Sequence, residues 1–215
     1  MEILITGANR GIGEGLRSTL GVRGHSVTGT HRGPAAPGML SFDVTNTDSA
    51  EALSQTLSNS KLDCLICNAG VYLDKGLSFD DLTTDLWADT MATNVTGVFL
   101  SVKAALPALR RSSAPKIAII SSIMASDAHA PGGAYVYRAS KAAALNFGRN
   151  LAMDLGRDGI AVQIFHPGWV QTEMGGNEAD LTLDEAVDEL TTRIEEISMD
   201  RTGAFLSYDG TEIPF

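Results

Sequence analysis

The sequence predicts a doubly wound α/β fold, a parallel sheet of about seven strands with helices on both faces. Three observations carry that expectation. Short apolar runs alternate with helical segments from one end of the chain to the other. The first run, Glu2-Ile3-Leu4-Ile5-Thr6, passes directly into the glycine turn Gly7-Ala8-Asn9-Arg10-Gly11-Ile12-Gly13 and then into a helical pattern with Leu16 and Leu20. Far downstream, Tyr137-Arg138-Ala139-Ser140-Lys141 begins a long apolar helical segment.

Taken in order, the strands are expected at Ile3–Thr6, Ser26–Thr30, Met39–Phe42, Cys64–Cys67, Lys116–Ser121, Ala161–Phe165 and Ala204–Leu206. Helices are expected to start near Gly11, Thr47, Thr84, Ala134 and Thr182. The strand, glycine turn and helix start at the N-terminal end form a phosphate cradle. Glycines permit a tight turn and close backbone approach, and the free N–H groups of a helix N-terminus attract an anion. One connection is irregular. His31-Arg32-Gly33-Pro34-Ala35-Ala36-Pro37-Gly38 joins the second and third strands, and its prolines and glycines exclude a proper helix. A bare loop is expected there, although parallel neighbours ordinarily need a longer crossover.

Length fits one domain spanning residues 1–215, with enough chain to bury a full core. No apolar run approaches a membrane span in length, and the chain opens on a strand that the fold requires, so neither a membrane nor a signal peptide is expected. A net charge of −10 argues against nucleic acid and anionic membranes as partners. A cytoplasmic location follows. The two cysteines, Cys64 and Cys67, lie within one apolar strand, where side chains three apart face opposite sides. They are expected to be small buried thiols, with no metal bound. His25, His31, His129 and His166 show no ligand spacing, and His166 is expected to be structural.

Positions i and i+4 share a helix face, so Tyr137 and Lys141 should point to the same place. An ammonium beside a phenol favours the phenolate and should draw its pKa down from about 10. Such a phenol can exchange a proton with a carbonyl or alcohol oxygen.

Read together, these residues resemble the short-chain dehydrogenases/reductases over essentially the whole chain. The matching pieces are Thr6 to Gly13, Asp43-Val44, Asn68-Ala69-Gly70, Asn94, Ser121-Ser122, Tyr137 with Lys141, and Pro167-Gly168, in the family's order. Gly132 to Lys141, His166 to Gly176 and Tyr208-Asp209-Gly210 resemble the branch of C-factor-like and sniffer-like proteins. The resemblance implies a Rossmann-type fold and a catalytic set of Asn94, Ser122, Tyr137 and Lys141. Tyr137 is then the general acid/base. Lys141 binds the nicotinamide ribose, Ser122 holds the substrate oxygen, and Asn94 maintains a water link to Lys141. The family's usual serine-to-tyrosine spacing falls on Tyr135, two residues before Tyr137. Tyr135 has Ala139 four residues on and not lysine, so Tyr137 is chosen and Tyr135 is expected to be pocket wall or core.

The resemblance also implies cofactor contacts. Gly7, Asn9, Arg10, Gly11, Ile12 and Gly13 form the glycine turn, Asp43 and Val44 meet the adenine, and Asn68, Ala69 and Gly70 line the adenosine ribose. Pro167, Gly168, Val170 and Thr172 lie at the nicotinamide end. The second strand ends in Thr30-His31-Arg32, without the acid that selects a ribose 2′-hydroxyl. Arg32, with Arg10, suits a 2′-phosphate, so NADP(H) is expected in preference to NAD(H). The implied function is interconversion of a carbonyl and a secondary alcohol on a small molecule. Its rivals are a cofactor-binding regulatory protein and an epimerase or dehydratase. Residues Glu173 to Asp200 are expected to cover the substrate pocket. Apolar helix faces within Trp87–Leu109 and Ala134–Leu155 are expected to form a homodimer or homotetramer interface, or else ordinary core.

Overall fold

Seven strands form one parallel sheet, and the alternation of their side chains builds a core on each face. The strands are β1 (Glu2–Ile5), β2 (Ser26–His31), β3 (Met39–Ser41), β4 (Cys64–Cys67), β5 (Lys116–Ile120), β6 (Ala161–His166) and β7 (Phe205–Ser207). Their order across the sheet is β3-β2-β1-β4-β5-β6-β7. These elements come from a computed structural model describing residues 1–215. In β4 the residues alternate cleanly: Leu65 and Cys67 enter one core cluster, Cys64 and Ile66 the other. The same alternation sends Leu4, Ile117, Ile119, Val162 and Ile164 to the first face, and Ile3, Ile5, Ala118, Ile120 and Phe165 to the second. Each such buried Leu, Ile, Val or Phe side chain contributes about 1.5–3 kcal/mol relative to an exposed one.

Helices α1 (Gly11–Val22) and α6 (Leu183–Glu195) cover the second face through Leu16, Leu20, Val187, Leu190 and Ile194. The first face is covered by α2 (Thr47–Thr56), α4 (Gly97–Leu109) and α5 (Tyr135–Leu155). Helix α3 (Thr84–Met91) runs into α4 through a π-helical segment, Ala92–Thr96. Thr84–Leu109 therefore forms one stretch long and apolar enough to cross a membrane, which corrects the expectation from the sequence. Its apolar residues serve the core instead: Val98, Leu100, Val102, Ala104, Ala105, Ala108 and Leu109 are all buried against the sheet and its neighbours.

Between β2 and β3 there is no helix, and Arg32 to Gly38 run as a bare loop. Within it Ala36 and Met39 exchange backbone hydrogen bonds in an antiparallel bridge. At the opposite end of the sheet Leu206 and Glu212 form a second antiparallel bridge. Element ends differ from those expected by a residue or so, as at β1 and β7, where apolar pattern does not mark the last ladder bond.

Candidate active site

At the carboxyl ends of β1, β2, β4 and β5 the loops enclose a cavity of about 640 Å³. Its floor begins in the glycine turn. A Cβ on Gly13 would lie 2.3 Å from the Gly7 carbonyl oxygen and 2.4 Å from Asn68 Nδ2, so no larger residue fits between turn and sheet. Gly7 itself takes a φ of +65°, a region that favours glycine. Arg10 at the N-cap of α1 makes no side-chain cap bond, which leaves first-turn amides for an anion.

The cavity lining includes Gly7, Asn9, Arg10, Gly11, Ile12, Gly13, Arg32, Asp43, Val44, Asn68, Ala69, Gly70, Tyr137, Lys141, Pro167 and Thr172. The fold thus brings together most of the residues singled out in the sequence. Asn94 and Ser122, both buried, lie outside the lining, which takes Ser121 instead; so do Gly168 and Val170, and Val170 is buried. Its neighbour Gln171 donates from its backbone to Leu181, tying this segment to the chain before α6. Asn68 Nδ2 donates to the Thr6 and Gly7 carbonyls, both at 3.0 Å, so its amide staples the ends of β1 and β4 together. Asp43 accepts from the backbone and hydroxyl of Thr45, which holds its carboxyl below the usual range, with help from nearby Arg32.

At the other end of the cavity stand the tyrosine and the lysine. Tyr137 and Lys141 lie on one face of α5, both buried, with the Lys141 ammonium 5.7 Å from the Tyr137 ring centroid. Lys141 Nζ donates to the Ile120 carbonyl at 3.0 Å. Burial holds the ammonium down at about 8. The phenol does not follow the expectation from the sequence: burial pushes Tyr137 up to about 12, and hydrogen bonding by Ser122 opposes that rise. The pairing with lysine does not outweigh desolvation here, because Lys141 turns its ammonium to a backbone carbonyl.

The two adjacent serines face apart. Ser121 Oγ donates to the Lys141 carbonyl at 3.1 Å, while Ser122 lies beside Tyr137 and accepts from Met124 N at 3.2 Å. Asn94 sits in the π-helical segment, 1% exposed. Its amide accepts from Val71 N at 2.8 Å and donates to Val71 O and Ser140 Oγ, both at 2.9 Å. Its side chain is thus engaged in holding the loop after β4.

Several features escaped sequence reasoning. Tyr72 stacks on Tyr137 with centroids 4.2 Å apart. Glu173 pairs with Arg10 across the cavity mouth. Lys75 Nζ donates to the carbonyls of Met174 and Gly175 at 2.8 and 3.1 Å. Of the segment Glu173–Asp200, only Glu173 and Met174 line the cavity; half of the rest is α6, packed on the sheet beside α1, because its apolar stripe of Val187, Leu190 and Ile194 belongs to the core. Tyr135 is 43% exposed and meets Phe79 edge-on, so it is not core. Trp169 is half exposed and donates to the Gly175 carbonyl at 3.0 Å. Cys64 and Cys67 are buried free thiols pushed up by desolvation, and no three or more His, Cys, Asp or Glu side chains come together as metal ligands would.

Residues 2–182 match the family model described as short chain dehydrogenase. The chain belongs to the short chain dehydrogenase family. Among curated relatives, the C-signal protein of Myxococcus xanthus is 36% identical over 167 residues, covering 76% of this chain and 99% of that protein. Among solved structures, the NADPH-bound carbonyl reductase from chicken fatty liver superposes with a TM-score of 0.89 at 30% identity, covering 100% of this chain and 98% of its own. The carbonyl reductase Sniffer of D. melanogaster superposes with a TM-score of 0.91 at 28% identity, covering 100% and 99%. These likenesses place the chain in the C-factor-like and sniffer-like branch of the family. As a short chain dehydrogenase, it is a nicotinamide-dependent oxidoreductase acting on alcohol and carbonyl groups.

Proposed function

We propose that the protein is a single-domain, NADP(H)-dependent carbonyl reductase in which Tyr137 is the general acid/base. The observation that carries this reading is the convergence of Tyr137 and Lys141 at the end of a cavity whose other end is the glycine turn, with Ser122 beside Tyr137 just outside the lining. The residues fit a dinucleotide. The glycine turn and uncapped start of α1 suit a pyrophosphate, Asp43 and Val44 flank an adenine position, and Lys141 suits ribose hydroxyls. Pro167 and Thr172, which line the cavity, flank the nicotinamide end, with Gly168 and Val170 between them in sequence. NADPH is favoured over NADH because β2 ends in no acid that would select a ribose 2′-hydroxyl and Arg32 stands at the cavity rim just beyond it.

The nicotinamide cofactor supplies the hydride. Ser122 orients the carbonyl oxygen by a hydrogen bond as negative charge grows on it. Tyr137 delivers its hydroxyl proton to that oxygen, giving the secondary alcohol. A phenol held near 12 stays protonated at neutral pH, which suits the acid in the reducing direction. The buried ammonium of Lys141 stabilises the phenolate so formed and relays a proton back to it, and Asn94 holds the loop beside that path. We assign the enzyme to the cytoplasm and to a homodimer or homotetramer built on the α4 and α5 faces, where Phe99 and Met153 are exposed.

Likeness to the C-signal protein favours a second reading, a cofactor-binding regulatory protein with little turnover. The buried acid/base set speaks for turnover, since a pure sensor needs no proton donor. A screen of simple ketones and diketones with NADPH separates the two. Tyr137→Phe should abolish turnover and leave NADPH binding nearly intact, because only the hydroxyl is lost. Loss of turnover in Tyr135→Phe with retention in Tyr137→Phe overturns the assignment.

A further inference from the structure

Helix α5, which carries Tyr137, starts without a cap of its own. Gly132, Gly133 and Ala134 take successive positive φ values of 92°, 69° and 49°. Ala134 occupies the N-cap position and has no side-chain acceptor. The amides that follow are sequestered: Val136 is 0% exposed and Tyr137 8%. Buried donors of this kind need partners.

Asp74 supplies them from the loop after β4, a sequence distance of 62 residues from Val136. Its Oδ2 accepts from Val136 N at 2.8 Å and its Oδ1 from Tyr137 N at 3.2 Å. Val136 and Tyr137 are the second and third residues of α5, the positions that an ordinary N-cap side chain serves. Asp74 is 1% exposed, and its carboxylate is met by the N-terminal end of the helix and not by a basic side chain. The same short segment reaches the site at three more points. Val71 is clamped by Asn94, Tyr72 stacks on Tyr137, and Lys75 holds the carbonyls of Met174 and Gly175.

We propose that Asp74 is a positioning residue of the reaction, a remote cap of α5 that sets where the Tyr137 hydroxyl stands relative to Ser122 and Lys141. The inference rests on the reading of Tyr137 as proton donor. Asp74 acts on that group by charge as well as by place. Tyr137 is faced by Tyr72 and Asp74 from the loop after β4, by Ser122 from the end of β5, and by Lys141 from its own helix. Burial raises the phenol most, Ser122 lowers it, and Tyr72 and Asp74 add to the rise.

The test compares Asp74→Ala and Asp74→Asn in the full chain, reading kcat and KM with NADPH and a diketone, the pH profile of reduction, and hydrogen exchange at the Val136 and Tyr137 amides. Displacing the reacting group by about 1 Å costs on the order of 100-fold, so kcat in the alanine variant should fall by about that factor while KM for NADPH stays near wild type. Exchange at the two amides should accelerate. Asparagine keeps an oxygen acceptor and should restore most of kcat and the amide protection. Because it removes the charge, the alkaline limb of reduction should move to lower pH, a change that a purely structural cap does not produce. An unchanged kcat in the alanine variant overturns the proposal, as does an asparagine variant with a wild-type pH limb; the latter decides the matter if the alanine variant fails to fold. Should the wild type reduce no carbonyl while the amides lose protection in the alanine variant, the reductase reading fails and the cap alone stands. Amides that stay protected in the alanine variant refute the cap whatever the activity.

Discussion

Replacing Lys141 by methionine should yield a protein that is inactive yet more stable. Lys141 is 5% exposed, and its ammonium finds a hydrogen bond only at the Ile120 carbonyl. Desolvation takes it from an ordinary 10.5 to about 8. At about 1.4 kcal/mol per tenfold, that fall is a penalty of about 3 kcal/mol on the charged form in the folded state. The folded value lies below the unfolded one, so the sign is definite. Below pH 8 the lysine is protonated in both states and the penalty is present in full. As pH rises from about 8 towards 10.5, the folded state binds fewer protons than the unfolded, and stability rises. Methionine removes the charge and keeps most of the volume, but it leaves the Ile120 carbonyl without its donor, a loss of about 1–2 kcal/mol. A net gain of about 1–2 kcal/mol remains at pH 7, equivalent to about 2–8 °C in Tm for a chain of this size. Urea denaturation of both ligand-free proteins at pH 7 and pH 9.5 measures it: the methionine variant should lead at pH 7, and its lead should shrink at pH 9.5. A variant less stable than wild type at pH 7, or a gap indifferent to pH, refutes the argument that burial strains this ammonium.

Three further outcomes concern the cavity rim. The exposed Arg32 should give wild type a higher kcat/KM with NADPH than with NADH, and Arg32→Ala should lose that preference. Because an exposed clamp is screened by salt, the Kd for NADPH should rise with ionic strength more steeply than that for NADH; equal slopes measured by fluorescence titration remove the case for it. Glu173→Gln frees Arg10 from an exposed partner worth at most about 1 kcal/mol, so NADPH should bind up to about fivefold more tightly at low salt, with the gain vanishing at high salt. Weaker binding in that variant shows instead that Glu173 holds the cofactor site together.

Much of the fold was legible because local chemistry and global topology agree. The prolines and glycines between His31 and Gly38 exclude a helix in any context, and the loop there is bare. Cys64 and Cys67 had to face apart once their strand was recognised, and they lie in separate core layers. What stayed hidden depends on long-range pairing. Asp74 carries no motif, and its role exists only because β4 and α5 bring residues far apart in sequence together. The direction of the Tyr137 pKa is hidden for a related reason: spacing places Lys141 on the same face but does not reveal which oxygen its ammonium chooses. Likewise, the apolar stripe in Leu183–Glu195 cannot by itself distinguish a pocket cover from a core helix.

The two antiparallel bridges bear on how the sheet ends. A parallel sheet has two open borders, each a template for adhesion to other unfolded or partly folded chains. Here both borders are short, and each is folded back upon. At one, Ala36 consumes the outward N–H and C=O of Met39. At the other, Thr211 and Ile213 meet Ser207 and Phe205 along the outer side of β7. The shortened β2–β3 connection therefore protects its own border of the sheet. By turning its own loop into a stopper, it removes a sticky margin that a bare three-residue border strand would otherwise present, and the C-terminal tail does the same on the far side.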